Sequence, residues 1–418
     1  MNKMLCGYRV LDITQFVAGP TCSRLMAELG ADVIKVELTP IGDHARRSGL
    51  RSRKKEFENC TQSTYFAQHN HSKRSLAINL KSKEGQALIK KLIERSDVLV
   101  ENFAPGVIGR MGLAYDDVQK INPEIIMCSI SFAGQEGPLA NEPGFDYMAA
   151  AYAGITEMIG ENDRSPSQVS MAVGDSATGI SAAMAVAVAL LHRERTGEGQ
   201  FIDCSLLDTY LQMHEDYIPR VGLRGDAASP ERSGSQHPNG GPTGIFECGD
   251  GSFLQMMIMP YQWPRLLQAI GMPELEKDTR FNSPQNRRKN KFELQAIIEQ
   301  WMAKIGNRQD ILTILKDQRV PVAPVLTLQE AINHPHAIQR GAIRQLKDPF
   351  IGNFPIPGQP PIFSKWSHNN ELRAPLLGEH NEEILTTICG LDKSEIVALH
   401  ENGIINTDPT LLDPPPDP

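Results

Sequence analysis

Residues 8–37, YRVLDITQFVAGPTCSRLMAELGADVIKVE, decide the fold. Tyr8 to Ile13 reads as a short apolar strand, Thr21 to Leu29 as a helix closed by Gly30, and Asp32 to Glu37 as a second strand. Strand, helix and strand this close together make a βαβ unit, and a parallel sheet is its simplest outcome. The intervening loop, QFVAGP, places Pro20 where a first helical turn accepts it. Such strand-to-helix crossings are where α/β folds bind ligands. The loop lacks the GxGxxG glycines, so it does not indicate a dinucleotide, and a backbone contact with another nucleotide-like ligand stays open.

The alternation continues outward. A helix is expected from Lys83 to Arg95, a strand DVLVEN ending at Asn102, short helices at Val107 to Met111 and Tyr115 to Ile121, a strand EIIMCSIS, and a helix from Phe145 to Ile159. The helices are uneven and no single period repeats, which favours an open doubly wound sheet over a closed barrel. Pro219 to Gly244 is dense in Gly, Pro and Ser and reads as a connection, giving a large domain over 1–225 and a smaller α+β domain over 226–330. Residues 331–418 hold a Pro/Gly-rich connection at Asp348 to Pro361, the piece RAPLLGEHNEEIL that needs a surface to pack on, and a Pro-rich tail expected to be disordered after about 407.

A second stretch, Ala172–Leu206 (AVGDSATGISAAMAVAVALLHRERTGEGQFIDCSL), sets Asp175 at the start of a long apolar helix followed by the strand QFIDCSL. Ile180, Ala183, Met184, Ala187, Val188 and Leu191 fall at helical spacing and mark the expected buried stripe. Two roles for Asp175 fit: an N-cap, or a carboxylate positioned for chemistry, with the helix dipole favouring its ionised form.

Length and composition bound the rest. A chain of 418 residues exceeds the size of a single core, and its net charge of -8 argues against non-specific binding to nucleic acid or anionic membrane. Positive charge is concentrated locally, in HARRSGLRSRKK (44–55) and at Lys73, Arg74 and Lys81, either as solvated loops or as a phosphate-docking surface. The seven cysteines are scattered without a CxxC pair and read as reduced thiols of a cytoplasmic protein. With no apolar signal core and no uncharged apolar run near the roughly 18 residues a span requires, the chain is expected to be neither exported nor membrane-spanning.

The ordered series VLDIT, AGP, ADVIKVE, GD, KRSLAINLK, ENFAPGVIGRMGL, GPLANEPGFD, VGDSATG, RTGEGQFIDCSLLD, VPVAPV and APLLGEHN closely resembles the family III CoA-transferases, the group that includes formyl-CoA and carnitine CoA-transferases. The resemblance implies a Rossmann-like open parallel sheet domain built from both chain ends, an inserted smaller domain, and an interlocked homodimer. It implies that CoA moves from an acyl-CoA to a free carboxylic acid through an acyl-aspartyl anhydride and an aspartyl-CoA thioester on Asp175, with coenzyme A as substrate, no permanently bound cofactor and no metal. Gly249 and Gly251 in ECGDGS correspond to the family's glycine loop, although Asp-Gly is also a plain hairpin signal. Phe16, Val17, Lys81, Asn102, Phe103 and Arg110 take CoA-contacting positions, with Arg46 and Arg47 as nearby phosphate candidates. Oxyanions along this path call for N–H donors beside Asp175, a need that Gly174 fits by letting the chain approach closely.

Three departures bear on the substrate. Formyl-CoA transferases carry Gln where Val17 stands, Tyr where Phe145 stands and often Arg where Leu38 stands, so a donor larger or less polar than formyl or oxalyl is expected. The fold is shared with α-methylacyl-CoA racemases, which need a His where this chain has Phe145, and with any CoA-binding protein that kept the fold without turnover.

Overall fold

The computed structural model describes residues 3–52, 57–238, 240–366 and 372–412. Val10, Leu11 and Ile13 are inaccessible to solvent, as a strand covered on both faces requires. They lie on β1 (Arg9–Ile13), the first of six strands continued by β2 (Asp32–Leu38), β3 (Arg74–Ile78), β4 (Val98–Glu101), β5 (Ile126–Ser131) and β6 (Gln200–Ser205). Every neighbouring pair is parallel, and the order is β3-β2-β1-β4-β5-β6. The expected doubly wound sheet is therefore present. Its order reverses between β1 and β4, so the chain leaves their C-terminal ends in opposite directions and opens a crevice there.

The chain divides into two compact units, Met1–Ala153 with Ser170–Met213 and Pro335–Pro418, and Gly154–Val169 with His214–His334. The border thus falls at 213/214 rather than near 225, and the smaller unit also takes residues 154–169. The stretch read as a connection at Pro219 to Gly244 overlaps the Tyr217–Arg224 helix, and the one at Asp348 to Pro361 is largely the hairpin β10 (Ile343–Asp348) and β11 (Gly352–Pro357).

In the first unit the C-terminal segment covers the β3 edge. Asn381 Oδ1 accepts the Ala77 N–H at 2.9 Å, the His380 N–H donates to Ser75 O at 3.0 Å, and Ile384 and Leu385 join the core around Leu76 and Ile78. An open edge is thereby closed. The tail is held further than expected: Asp408 is buried, accepts from Thr61 and Thr410, and precedes a helical turn at Pro409–Leu412. Residues 413–418 lie outside the described residues.

The second unit carries an antiparallel sheet of β7 (Thr243–Glu247), β8 (Phe253–Met257) and β9 (Val322–Pro324) with helices at Trp263–Ile270, Lys291–Ile305 and Arg308–Asp317. Alternate residues Phe246, Leu254 and Met256 point into its core.

The Val173–Thr196 helix corrects one expectation. Its bulky stripe, Ile180, Met184, Val188 and Leu191, is exposed, while Thr178, Gly179, Ala182, Val186 and Leu190 are buried. Close helix packing explains the inversion, because a Cβ on Gly179 would stand 2.5 Å from Ala18 O and 2.7 Å from Thr21 Cβ of the Ala18–Glu28 helix. At Gly179 that face has no room for a side chain, while Val186 and Leu190 fill it further along the helix. By length and composition alone this helix could cross a membrane, an 18-residue window of it having mean hydropathy 1.5.

Candidate active site

A cleft of about 350 Å³ opens at the crevice between the ends of β1 and β4. Phe16, Val17 and Ala18 line it from the β1 loop, Asn102 and Phe103 from the β4 end, Gly144 and Phe145 from the loop before the Asp146–Tyr152 helix, and Asp175 from the first turn of the Val173–Thr196 helix. A second cleft of about 380 Å³, lined by Leu38, His44, Lys81 and Met111, meets the first at Gln15. An elongated ligand with a reactive end and a charged end would span the two.

The β1 loop is held open by its neighbours. Asn102 grips Gln15 from both sides, its Oδ1 accepting the Gln15 N–H and its Nδ2 donating to Gln15 O, each at 2.8 Å. Phe16 adopts φ 66°, a left-handed conformation costly for an aromatic residue, with its N–H donating to Asp43 Oδ1 at 3.1 Å. Its ring stacks on His44 at 5.7 Å and 12°. The Ala18–Glu28 helix that follows has no side-chain N-cap, so its positive end opens on the cleft.

Beneath the loop lies a buried ion cluster. Asp12 accepts from Lys73 at 2.9 Å and from Ser23 at 2.6 Å; Lys35 pairs with Asp43 at 3.1 Å and donates to Thr14 O. Burial alone would raise the Asp12 pKa, yet Lys35 and Lys73 hold it well below the usual carboxylate range.

Three of the cations expected to face phosphates are instead engaged by carboxylates. Arg46, 1% exposed, grips both Glu37 oxygens at 2.6 and 2.7 Å, donates to Pro375 O and lies 3.5 Å over the Phe66 ring, so its guanidinium is fully engaged inside the unit. Lys73 is likewise spent on Asp12, and Arg74 on Asp32. Arg47 and Arg110 are exposed, as is Lys81, and Arg53, Lys54 and Lys55 lie outside the described residues. Asn102 also changes character, since its amide serves Gln15 in both directions.

Asp175 is not an N-cap. The cap position is Ala172, and Asp175 lies in the first turn. Its own N–H donates to Asp146 Oδ1 at 2.7 Å; the Tyr210 hydroxyl donates to Asp146 Oδ2 at 3.0 Å and accepts the Gly174 N–H at 3.0 Å. Gly174 is required here, because a Cβ would stand 2.2 Å from Tyr210 Cε2 and 2.6 Å from Asp146 Oδ1. The N–H of Ser176 is taken by Ala172 O at 3.2 Å. Donors for an oxyanion therefore do not come from Gly174, Asp175 or Ser176.

The expectation that Asp175 is held ionised is also reversed. Burial, and then the neighbouring Asp146, push its pKa up to about 7. Asp146 and Tyr210 escaped the sequence reading: Asp146 was visible only as the end of GFD, and Tyr210, 35 residues beyond Asp175, sits in an ordinary amphipathic segment.

Gly249 and Gly251 belong to the second unit, in the β7–β8 turn, where the Gly251 N–H donates to Cys248 O at 3.0 Å and Asp250 accepts the Arg308 N–H at 3.0 Å. The hairpin alternative describes their geometry.

Comparison with known proteins agrees in extent with this reading. A family model described as CoA-transferase family III matches residues 5–381. The chain is 35% identical over 399 residues to the succinyl-CoA–D-citramalate CoA-transferase of Chloroflexus aurantiacus, covering 95% of this chain and 97% of that one. It is 33% identical over 407 residues to the succinyl-CoA:glutarate CoA-transferase of Mus musculus, covering 96% and 90%. Among solved structures, a CAIB/BAIF family protein from Brucella suis matches with TM-score 0.80 and 31% identity over 93% of this chain and 100% of that chain.

Proposed function

The chain belongs to CoA-transferase family III, and from that premise we propose that it moves CoA from an acyl-CoA thioester to a free carboxylic acid through covalent intermediates on Asp175. The observation that carries the reading is the position of Asp175 on the same cleft as Val17 and Phe145, at the β1/β4 crossing.

An Asp175 carboxylate oxygen attacks the thioester carbonyl, the C–S bond breaks, and CoA leaves as thiolate, giving a mixed anhydride. The thiolate then attacks the Asp175 carbonyl, releasing the donor acid as carboxylate and leaving an aspartyl-CoA thioester. The acceptor carboxylate attacks that thioester, and the returning thiolate takes the acceptor acyl group and frees Asp175. Electron pairs balance in every step and no net proton moves. A carboxylate suits this cycle because it attacks without surrendering a proton and its anhydride stays reactive. The uncapped end of the Ala18–Glu28 helix offers donors for negative charge on the cleft wall.

Lys81, Arg110 and Arg47 are the exposed cations assigned to CoA phosphates, with Lys81 at the second cleft. Val17 and Phe145 are apolar at the acyl end, and both relatives just described are named for succinyl-CoA, so succinyl donors and dicarboxylic acceptors come first in the substrate panel. The working form is a homodimer. Ile180, Met184, Val188 and Leu191 leave an apolar stripe uncovered along one helix, as a surface meant for a second copy would.

Incubation with a panel of acyl-CoAs, trapping with hydroxylamine or borohydride, and peptide mass spectrometry tests the reading. The expected result is an adduct on Asp175 with every donor that turns over; turnover without that adduct would refute it.

A further inference from the structure

The Asp146–Tyr210–Gly174 linkage is more than a helix brace. Three helices, Asp146–Tyr152, Val173–Thr196 and Leu206–Gln212, pack on one another and meet at the Asp146 side chain. That carboxylate is 4% exposed and receives the Asp175 N–H on one oxygen and the Tyr210 O–H on the other. Both donors are neutral, and among the described residues no lysine or arginine is paired with it. A buried carboxylate satisfied in this way is normally costly, and here it stands beside a second carboxylate.

We infer that Asp146 is a positioning residue for the transfer reaction: by gripping the Asp175 N–H and the Tyr210 hydroxyl it aims the nucleophile at the cleft, and its carboxylate, standing beside that of Asp175, adds to burial in resisting the nucleophile's charge. The inference rests on Asp175 being the nucleophile. Its geometry follows from the first turn of the Val173–Thr196 helix, where the N–H that orients Asp175 is the one that Asp146 holds. Its electrostatics follow from proximity, since two like charges in one partly dry site resist simultaneous ionisation. A carboxylate that gives up its proton reluctantly is a more basic attacking group once ionised, and near neutral pH a large share of it is ionised.

The other groups facing Asp175 do not supply this effect. Tyr210 is a neutral phenol whose own pKa is pushed up to about 12, by burial first. Tyr65, on the Thr64–Asn70 helix, has its pKa raised by burial and next by Asp175, so it too stays neutral. Glu142 lines the cleft but is exposed to solvent, which screens its charge.

The test is the pH profile of kcat in Asp146→Asn, which keeps an oxygen to accept the Asp175 N–H while removing the charge; Asp146→Thr serves in its place should the amide disturb folding. The acid limb is expected to move to lower pH by about one unit, with the plateau kcat reduced about tenfold through looser aim and the acyl-CoA Kd unchanged. A purely structural Asp146 would lower the plateau and leave the limb where it was, and that result in a folded variant overturns the inference. Trapping on the unsubstituted protein separates the two readings. No Asp175 adduct sinks the nucleophile itself, whereas an adduct with an unmoved limb sinks only the role of Asp146.

Discussion

Replacing Asp175 by Asn removes a charge from a place that resists it, so the variant should gain stability as pH rises. The carboxyl pKa stands at about 7 against 3.8 for the free group, pushed up by burial and then by Asp146. A raised pKa means that the folded chain holds the proton more tightly than the unfolded chain. Its stabilising contribution is complete below about pH 4 and is lost as pH climbs to about 7. Roughly three pH units at about 1.4 kcal/mol each set a ceiling near 4 kcal/mol, and water in the open cleft reduces this to about 2–4 kcal/mol. Urea unfolding followed by far-ultraviolet circular dichroism, with both proteins at one concentration, gives the difference directly. Variant and parent should nearly coincide at about pH 3.5, diverge between about pH 4 and pH 7 and differ by a constant amount above pH 8, with the variant the more stable. A difference that does not change with pH, or one that favours the parent in alkali, would refute the assignment of a buried, reluctant carboxylate.

Activity should run the opposite way: kcat falls as pH drops below about 7, because protonated Asp175 cannot attack, and a flat rate down to pH 5 in a steady-state profile would contradict this. Gly174→Ala forces a Cβ to within 2.2 Å of Tyr210, so it should lower kcat at least about tenfold while isothermal titration finds CoA still bound. Arg46→Gln strands Glu37 inside the protein and should lose about 3–5 kcal/mol of stability in urea unfolding, whereas Arg110→Gln should instead raise KM for the acyl-CoA with little change in melting temperature. Met184→Glu puts a charge on the exposed stripe and should shift the species seen by sedimentation velocity from dimer to monomer.

The parts of the fold legible in sequence were those with a local cause. Strands β1, β2 and β4 announced themselves because both their faces are covered, leaving unbroken apolar runs. Helix faces were harder. Ile180, Met184, Val188 and Leu191 look like a core stripe to any periodicity argument, yet the buried face is the one with Gly179, Ala182, Val186 and Leu190, because the Ala18–Glu28 helix approaches so closely at Gly179 that no side chain fits there. The hairpin β10–β11 was hidden by its prolines, Pro355 and Pro357, which break the usual strand pattern while occupying a two-stranded sheet.

The site divides along the same line. Asp175 was found through the motif that contains it, but its environment is assembled from residues 29 and 35 positions away, and no local pattern links Asp146, Gly174 and Tyr210. Arg46 shows the converse error, for a basic run counted by charge alone says nothing about where each guanidinium ends. In this chain one arginine of the run is committed to Glu37 and the ring of Phe66, and in doing so it fixes the β2 end beside Asp43, whose carboxylate holds the Phe16 N–H. The buried charges thus act on the cleft through the backbone they hold in place. Asp43 and Asn102 restrain the strained loop on one wall, while Asp146 restrains the nucleophile's turn on the other. Truncating Asn102 or Asp146 should therefore cost turnover before it costs folding, whereas truncating Asp43 also strands the buried Lys35 ammonium on β2 and should cost both.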